Sequence, residues 1–339
     1  MFNISKKTKE SVGLDIGSYS VKVVSIVKES GHNILSAYNL KQIPFEAAKT
    51  PSQIAKSVKE AMDEMDIHPS EVNLSVSGSN MIVRFISLPK MSKDQLENAM
   101  SFEAEKYIPF SADEVIMDFL ILDDAEGGQM NVLLAAAKRD FVQSQLGLLE
   151  KLGMGINVID IDAFAVFNAY TFSNKFPADK GTAFLDLGFS QTSVLISTGT
   201  IPRFMRLIQI GGKDIIETIA ADMSIPQEQA EEMKLKGGEK NGEKVRQVTT
   251  AVLDELVKEL QLSFGYFENK YGKGVGSIYC SGGMIYQPGT IEYLQEKLGA
   301  QLEVWSPLKG LDISESLSRE ALDPLASQLA VSIGLGLRE

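Results

Sequence analysis

Two short stretches of the chain share one layout: "LDIGSYSVKVVSI" at residues 14–26 and "LDLGFSQTSVLIS" at residues 185–197. Each sets an aspartate, Asp15 or Asp186, at the end of an apolar run. A glycine follows two residues on, Gly17 or Gly188, and then hydroxyl- and amide-bearing residues before a second β-forming run. Glycine permits positive φ and close backbone approach, turn N–H groups and hydroxyls suit phosphate oxygens, and a carboxylate can hold Mg2+ through water. One such turn is more often structural than functional. Two of them about 170 residues apart, each opening a β-meander, predict halves of one phosphate site facing each other across a cleft. Asp15 and Asp186 would then converge on a metal. A third element, Ser281-Gly282-Gly283 after an apolar strand, suits close backbone approach to the sugar or phosphates of a nucleotide.

The elements that must position these residues follow from periodicity and turn chemistry. Val12–Ile16, Val21–Val27 and about Asn33–Asn39 read as strands punctuated by Gly17-Ser18 and Ser30-Gly31. Ile54, Val58, Met62 and Met65 repeat at helical spacing, and "EVNLSVSG" reads as a strand, so the opening unit is β-β-β-α-β. Ser92 and Gln95 form a capping box for a helix that Met91 staples through Leu96 and Pro109 should stop. The strands "EVIMDFLILDD" and "MNVLLAAAK", joined by the turn Glu126–Gln129, and the helix "RDFVQSQLGLLEKLG" complete what reads as an inserted helix-strand-strand-helix module. After a strand and helix in "INVIDIDAFAVFNAY", a turn at Pro177–Gly181 separates the halves. The second half repeats the meander and enters a helix through Gly211-Gly212. It then inserts a long helix whose Val245, Val248, Val252, Leu256, Leu260, Phe264 and Phe267 form a core stripe. The expected organisation is α/β: a first lobe over 1–180 with an inserted subdomain at about 86–159, a second lobe over 181–319 with one at about 222–271, and a C-terminal helix over 320–339 returning to the first lobe.

Composition bounds the function. Hydrophobic residues make up 44% and charged residues 23% of 339, ordinary for a soluble globular protein of two or three units. No window approaches 18 apolar residues and the N-terminus carries no secretory apolar stretch, so a cytoplasmic address without membrane insertion is expected. A single cysteine, Cys280, excludes an internal disulfide and falls mid-strand as a buried thiol; His32 and His68 read as surface positions. The net charge of −12 argues against nucleic acid. It does not argue against a small anion, because distant charges are screened beyond about 8 Å while backbone donors touch the ligand.

"LDIGSYSVK", "LDLGFSQTS" and "CSGGM" resemble the first phosphate, second phosphate and adenosine motifs of the actin-like ATPase superfamily, with its paired ribonuclease-H-like lobes. "QAEEMK" resembles the Ala-Glu-x-x-Lys element of MreB and FtsA, which puts Glu231 and Lys234 beside ribose and adenine; without the resemblance it reads as a solvated charged helix. The segments "MSKDQLENAMSFEAEKYIPF", "VLLAAAKRDFV", "INVIDIDAFAVFNA", "LDELVKELQLSFGYF" and "AVSIGLGLRE" are similar to the PilM family of type IV pilus assembly.

The resemblance implies ATP with Mg2+ between the lobes. Gly17, Ser18, Tyr19, Ser20 and Lys22 would lie on one side and Gly188, Ser190, Gln191 and Thr192 on the other. Glu231, Lys234, Gly282 and Gly283 would surround the nucleoside, and Asp15 and Asp186 would hold the metal. Tyr19 stands where a small Ser or Thr is commoner, and Leu262 where a basic residue is frequent. Hydrolysis needs an oriented water, for which Asp160 or Asp162 are candidates, each also a candidate helix cap; tight binding with slow or no turnover is expected.

The implied partner is the N-terminal cytoplasmic peptide of PilN, docked within residues 85–160 near Tyr107 or the strands after Pro109. PilO, PilP and the assembly ATPase would be wider platform components at the inner membrane, and homo-oligomerisation is left open. Alternatives are an FtsA-like cell-division filament protein, a small-molecule kinase of the same superfamily, which needs a catalytic base beside a substrate pocket, and the cytoplasmic domain of a type II secretion platform protein.

Overall fold

The computed structural model describes residues 9–43, 50–177, 180–235 and 242–338, without the side chains of 101–103. The chain opens with an antiparallel meander, β1 (Lys9–Ile16), β2 (Ser20–Glu29) and β3 (His32–Gln42). Ser30 and Gly31 turn β2 into β3 with positive φ of 54° and 86°, the primed turn that matches strand twist. α1 (Pro51–Glu64) starts from a Thr50–Gln53 capping box and leads to β4 (Glu71–Val76), parallel to β1.

β5 (Met81–Pro89), α2 (Lys93–Glu103), β6 (Val115–Ala125) and β7 (Gln129–Lys138) form a separate three-stranded antiparallel sheet, β5-β7-β6, covered by α2. The Ser92–Gln95 capping box forms as the spacing predicts, and Met91 and Leu96 share the core beneath α2. The helix ends before Pro109, tightening into a 3-10 turn at Ala104–Lys106. Two features differ from the helix-strand-strand-helix reading. "MIVRFISLP" is a strand, its pairing with β7 outweighing its lack of strict alternation. α3 (Arg139–Glu150) buries Leu148 and Leu149 against the first sheet rather than in the module.

β8 (Gly155–Ile161) pairs parallel to β4, and α4 (Asp162–Ser173) follows directly. The turn expected at Pro177–Gly181 lies partly outside the described residues. β9 (Gly181–Leu187), β10 (Thr192–Thr198) and β11 (Ile201–Ile208) repeat the meander. Then come α5 (Gly212–Met223), α6 (Gln227–Leu235), the long α7 (Gly242–Tyr271), β12 (Val275–Ser281), α8 (Thr290–Leu298) and β13 (Leu302–Val304). β14 (Asp312–Ile313), α9 (Arg319–Leu322) and α10 (Ala330–Gly336) close the chain. The larger sheets run β14-β3-β2-β1-β4-β8 and β11-β10-β9-β12-β13.

α1 and α3 cover one face of the first sheet, and α5, α7 and α8 cover one face of the second. Between the sheets a shared core gathers Ala165, Val166, Phe167 and Tyr170 of α4, the buried residues of α10, Phe184 of β9 and Trp305. α10 fits there by backbone contact: a Cβ on Gly334 would stand 1.8 Å from the Ala165 carbonyl oxygen, and one on Gly13 of β1 would stand 2.0 Å from that of Ser332.

The three-stranded module is tied to the second sheet as well as to the first lobe. Arg203 of β11 grips Asp123 of β6 with both terminal nitrogens, Nη1 to Oδ1 at 2.8 Å, and Asn131 donates to the same carboxylate at 2.8 Å. The guanidinium holds the Asp123 carboxyl below the usual carboxylate range. Cys280 is fully buried in β12, and burial pushes its thiol up to about 12.

Candidate nucleotide site

The register of β1 and β2 sets Asp15 opposite Lys22, and Lys22 Nζ donates to Asp15 Oδ2 at 2.9 Å. The Gly17 N–H donates to Ser20 O at 3.1 Å, which closes the turn. A Cβ on Gly17 would stand 2.7 Å from Lys22 Nζ, so glycine leaves the ammonium its place. The second hairpin closes likewise, Gly188 N to Gln191 O at 3.0 Å. Its carbonyls at Gly188 and Phe189 accept from Gly212 and Lys213, locking the first turn of α5 onto the hairpin. Opposite Asp186 stands Ser193 instead of a lysine. The parallel register of β12 brings Ser281, whose Oγ donates to Asp186 Oδ1 at 2.9 Å.

The two hairpins converge. Asp15, Asp186 and Asp162 all favour the charged form of Lys22 and raise its pKa against burial, which works the other way. The Asp162 carboxyl, at the first turn of α4, is pushed up to about 7 by burial and by the charges of Asp15 and Asp186, against the pull of the Ser75 and Ser77 hydroxyls. The Asp186 carboxyl is also raised, chiefly by burial. Three carboxylates around one ammonium are electrostatically short of positive charge, a deficit that a divalent cation offsets. Among the described residues no three acidic, histidine or cysteine side chains close into a metal-binding group by themselves. Mg2+ held by one or two carboxylates and by phosphate oxygens fits such a donor set.

Of the two aspartates weighed for a catalytic role, only Asp162 joins this cluster. Asp160 turns to the C-terminus, where Arg338 Nε lies 2.8 Å from its Oδ2 and Asn168 donates to the same oxygen at 3.3 Å. Neither caps α4 through its side chain.

Glu231 and Lys234 lie on α6 over the second hairpin. Lys234 is not the solvated lysine its charged surroundings suggested: it is 8% exposed, and burial lowers its pKa to about 8 against the favourable charge of Glu231. A Cβ on Gly212 would stand 2.9 Å from its Nζ. Tyr19 crosses the cleft. Its ring packs on Phe189 with centroids 4.9 Å apart, and burial, with the nearby Glu231 carboxylate, raises the pKa of its phenol. A second bridge joins Gln191 Nε2 to Ser77 Oγ at 2.5 Å.

The remaining sequence-predicted residues divide. Ser18 and Ser190 sit half-buried at the turn tips, while Ser20 and Thr192 are buried and the Thr192 hydroxyl donates to Ile210 O at 2.9 Å. Thr192 therefore frames the hairpin from behind. Gly282 takes φ 93°, and a Cβ there would stand 2.4 Å from Leu187 O; its N–H donates to Ser327 O, and a Cβ on Gly283 would stand 3.7 Å from Gln328 Oε1. Sequence reasoning missed Ser75 and Ser77, though "SVSGSN" at the end of an apolar strand was the available signal, and it missed Phe189. A cavity of about 270 Å3 opens beside the Gln191–Ser77 bridge, its lining including Gly78, Arg84, Met205 and Gln209.

Outside the cleft, β8 is the end strand of its sheet among the described residues, with Ile159 exposed. Ile116 and Leu120, also exposed, share by alternation the face of β6 that carries Leu122 toward the cluster joining module and first lobe. No helix among the described residues is long and apolar enough to cross a membrane.

A family model described as type IV pilus assembly protein PilM matches residues 13–339. The chain is 23% identical to the cell division protein FtsA of Streptococcus pneumoniae serotype 2 over 87% of this chain and 75% of that protein. A solved PilM-PilN type IV pilus biogenesis complex is similar at TM-score 0.86 and 28% identity, covering 97% of this chain and 98% of that one. MreB 5 of Spiroplasma citri bound to AMPPNP is similar at TM-score 0.52 and 10% identity, covering 97% and 95%. The fold is that of the actin-like ATPases.

Proposed function

Because the chain belongs to the PilM family of type IV pilus assembly proteins, we propose that it is an ATP-binding scaffold of the pilus assembly platform. In this reading it docks the N-terminal cytoplasmic segment of a PilN-type membrane partner. The observation that carries the nucleotide half is the meeting of Asp15, Lys22, Asp162 and Asp186, drawn from both lobes. Gly17, Ser18, Tyr19 and Ser20 with Lys22 would lie along one side of the phosphates, and Gly188, Ser190 and Gln191 along the other. Asp15 and Asp186 would orient waters on Mg2+, Glu231 and Lys234 would meet the ribose end, and Gly282-Gly283 would let the base approach the backbone. Bound ATP with its metal would supply the cation and the phosphate oxygens that this cluster lacks.

Slow or no turnover is the expectation of this reading; Asp160 is committed to Arg338, and any turnover would depend on Asp162 to orient a water. The partner half rests on the similarity to a solved PilM-PilN complex, on β8 being the end strand of its sheet with Ile159 exposed, and on the exposed Ile116 and Leu120 of β6. An extended apolar segment can add to such an edge as a strand. Docking to a membrane-anchored partner would hold the protein at the inner membrane.

The test is purification with and without a PilN N-terminal peptide, reading bound nucleotide and peptide affinity. Asp15→Ala is expected to abolish nucleotide content; a variant that retains it would sink the nucleotide site, and absence of peptide binding would sink the partner assignment. The likeness to FtsA favours a second reading as a division filament. ATP-dependent filaments on lipid vesicles without a pilus partner would select it.

A further inference from the structure

The three-stranded sheet of the module has two end strands, and they differ in charge. β6, on the side assigned to the membrane partner, exposes Asp118 and Asp124 along with Ile116 and Leu120. β5, at the opposite side, pairs with β7 alone among the described residues and borders the cavity of about 270 Å3. Met81 and Val83 of β5 and Met205 and Leu207 of β11 supply its apolar lining. Its charged lining residues are Arg84 and Arg206, with no acidic residue beside them. Sites that enclose a small molecule run from about 300 to 1,000 Å3, so this one suits a side chain or two of a passing segment.

The two arginines are placed differently. Arg206 answers Glu259 of α7 through Nη2, so its charge is already matched. Arg84 is exposed, and carbonyls hold its guanidinium: Nε donates to Tyr107 O at 3.2 Å and Nη1 to Val83 O at 3.1 Å. Among the described residues no carboxylate pairs with it and Nη2 makes no bond. A guanidinium oriented by two neutral acceptors keeps its charge and its remaining donors for a carboxylate. In a chain of net charge −12 the cavity rim is a local reversal of sign.

We propose that β5 and this cavity dock an extended acidic segment of a second protein partner. The segment adds to β5 as a strand, sets an apolar side chain among Met81, Val83, Met205 and Leu207, and presents an Asp or Glu to Arg84. Like charge disfavours a basic segment here and an acidic one at Asp118 and Asp124, so the two ends of the sheet select different occupants. Because the cavity joins β5 of the module to β11 of the second lobe, its occupant touches both. This partner is distinct from the one assigned to β6 and β8, and its docking does not depend on the nucleotide site.

The experiment uses the full-length protein with carbon-13 methyl methionine and three end-blocked heptapeptides of alternating Ser and Val, with Glu, Gln or Lys at the centre. The methyl signals of Met81 and Met205 should move saturably with the Glu peptide, while that of Met130, buried under α2, stays in place. Affinity should fall in the order Glu, Gln, Lys, by about fivefold from Glu to Gln, as for an exposed ion pair. Arg84→Gln, its folding checked by thermal unfolding, should remove that difference and leave the Gln peptide within about twofold of its parent affinity. The peptide series on the parent decides the charge preference even where the variant is unstable.

No movement of Met81 or Met205 at millimolar Glu peptide would overturn the inference, as would equal affinity for the three peptides. A Glu preference that survives Arg84→Gln would do the same, as would equal loss of the Glu and Gln peptides, which a merely structural arginine would give. Displacement of the Glu peptide by the PilN N-terminal peptide would also overturn it, since one site would then serve both. None of these outcomes touches nucleotide binding or PilN docking, which stand or fall on their own titrations.

Discussion

Lys234 shows how position alters a residue's chemistry. Burial lowers its pKa to about 8 while an unfolded lysine stays near 10.5. Between those values the unfolded chain holds the extra proton, so this group's opposition to folding is full below pH 8 and fades as pH rises toward 10.5. Lys234→Met should therefore stabilise the empty protein at pH 7 by about 1–3 kcal/mol and by much less at pH 10, read from urea unfolding. Nucleotide binding should carry the opposite signature. An anion near Lys234 favours the ammonium, so ATP affinity should fall as pH rises above 8, by up to about tenfold per unit, and Lys234→Met should flatten that profile. A slope unchanged by the substitution would place the ammonium away from the phosphates and ribose.

At the scale of elements, glycine has opposite meanings in two helices. Gly334 in α10 faces the Ala165 carbonyl at a distance no side chain tolerates, whereas Gly147 in α3 has nothing within 4 Å. Gly334→Val should destabilise by about 3 kcal/mol or more. Gly147→Ala should stabilise by about 0.5–1 kcal/mol, because only helix propensity is at stake. Denaturant midpoints check both. The contrast also marks what the sequence could reveal. Hairpins, capping boxes and the α7 stripe were legible because they depend on neighbours a few residues away: Ser92 finds Gln95, and Gly17 closes a turn on Ser20. The partners of Asp162 in β4, of Asp160 at Arg338 and of Tyr19 on α6 were not, because they are set by strand order and lobe closure. α3 joined the first lobe for a similar reason. Its apolar stripe fits any core, and only the assembled sheet decides which one receives Leu148 and Leu149.

For the whole molecule, the clamp between Arg203 and Asp123 is the long-range connection with consequences. The module hangs from the first lobe by its chain ends and is gripped by the second through this pair, so a rotation of one lobe against the other must either tilt the module or break the clamp. If nucleotide closes the lobes, peptide affinity should differ between ATP and ADP in the parent and become equal in Arg203→Ala, as read by fluorescence anisotropy of a labelled peptide. Equal affinities in the parent would rule out the coupling. Such movements can be followed directly, because of Cys280. With its thiol sealed inside β12 and held protonated at neutral pH, the chain offers no competing target to maleimide dyes. Cysteines placed at exposed Lys56 on α1 and Lys258 on α7 would take a donor and an acceptor fluorophore, turning the scaffold into a ruler for its own opening and closing with Cys280 left in place.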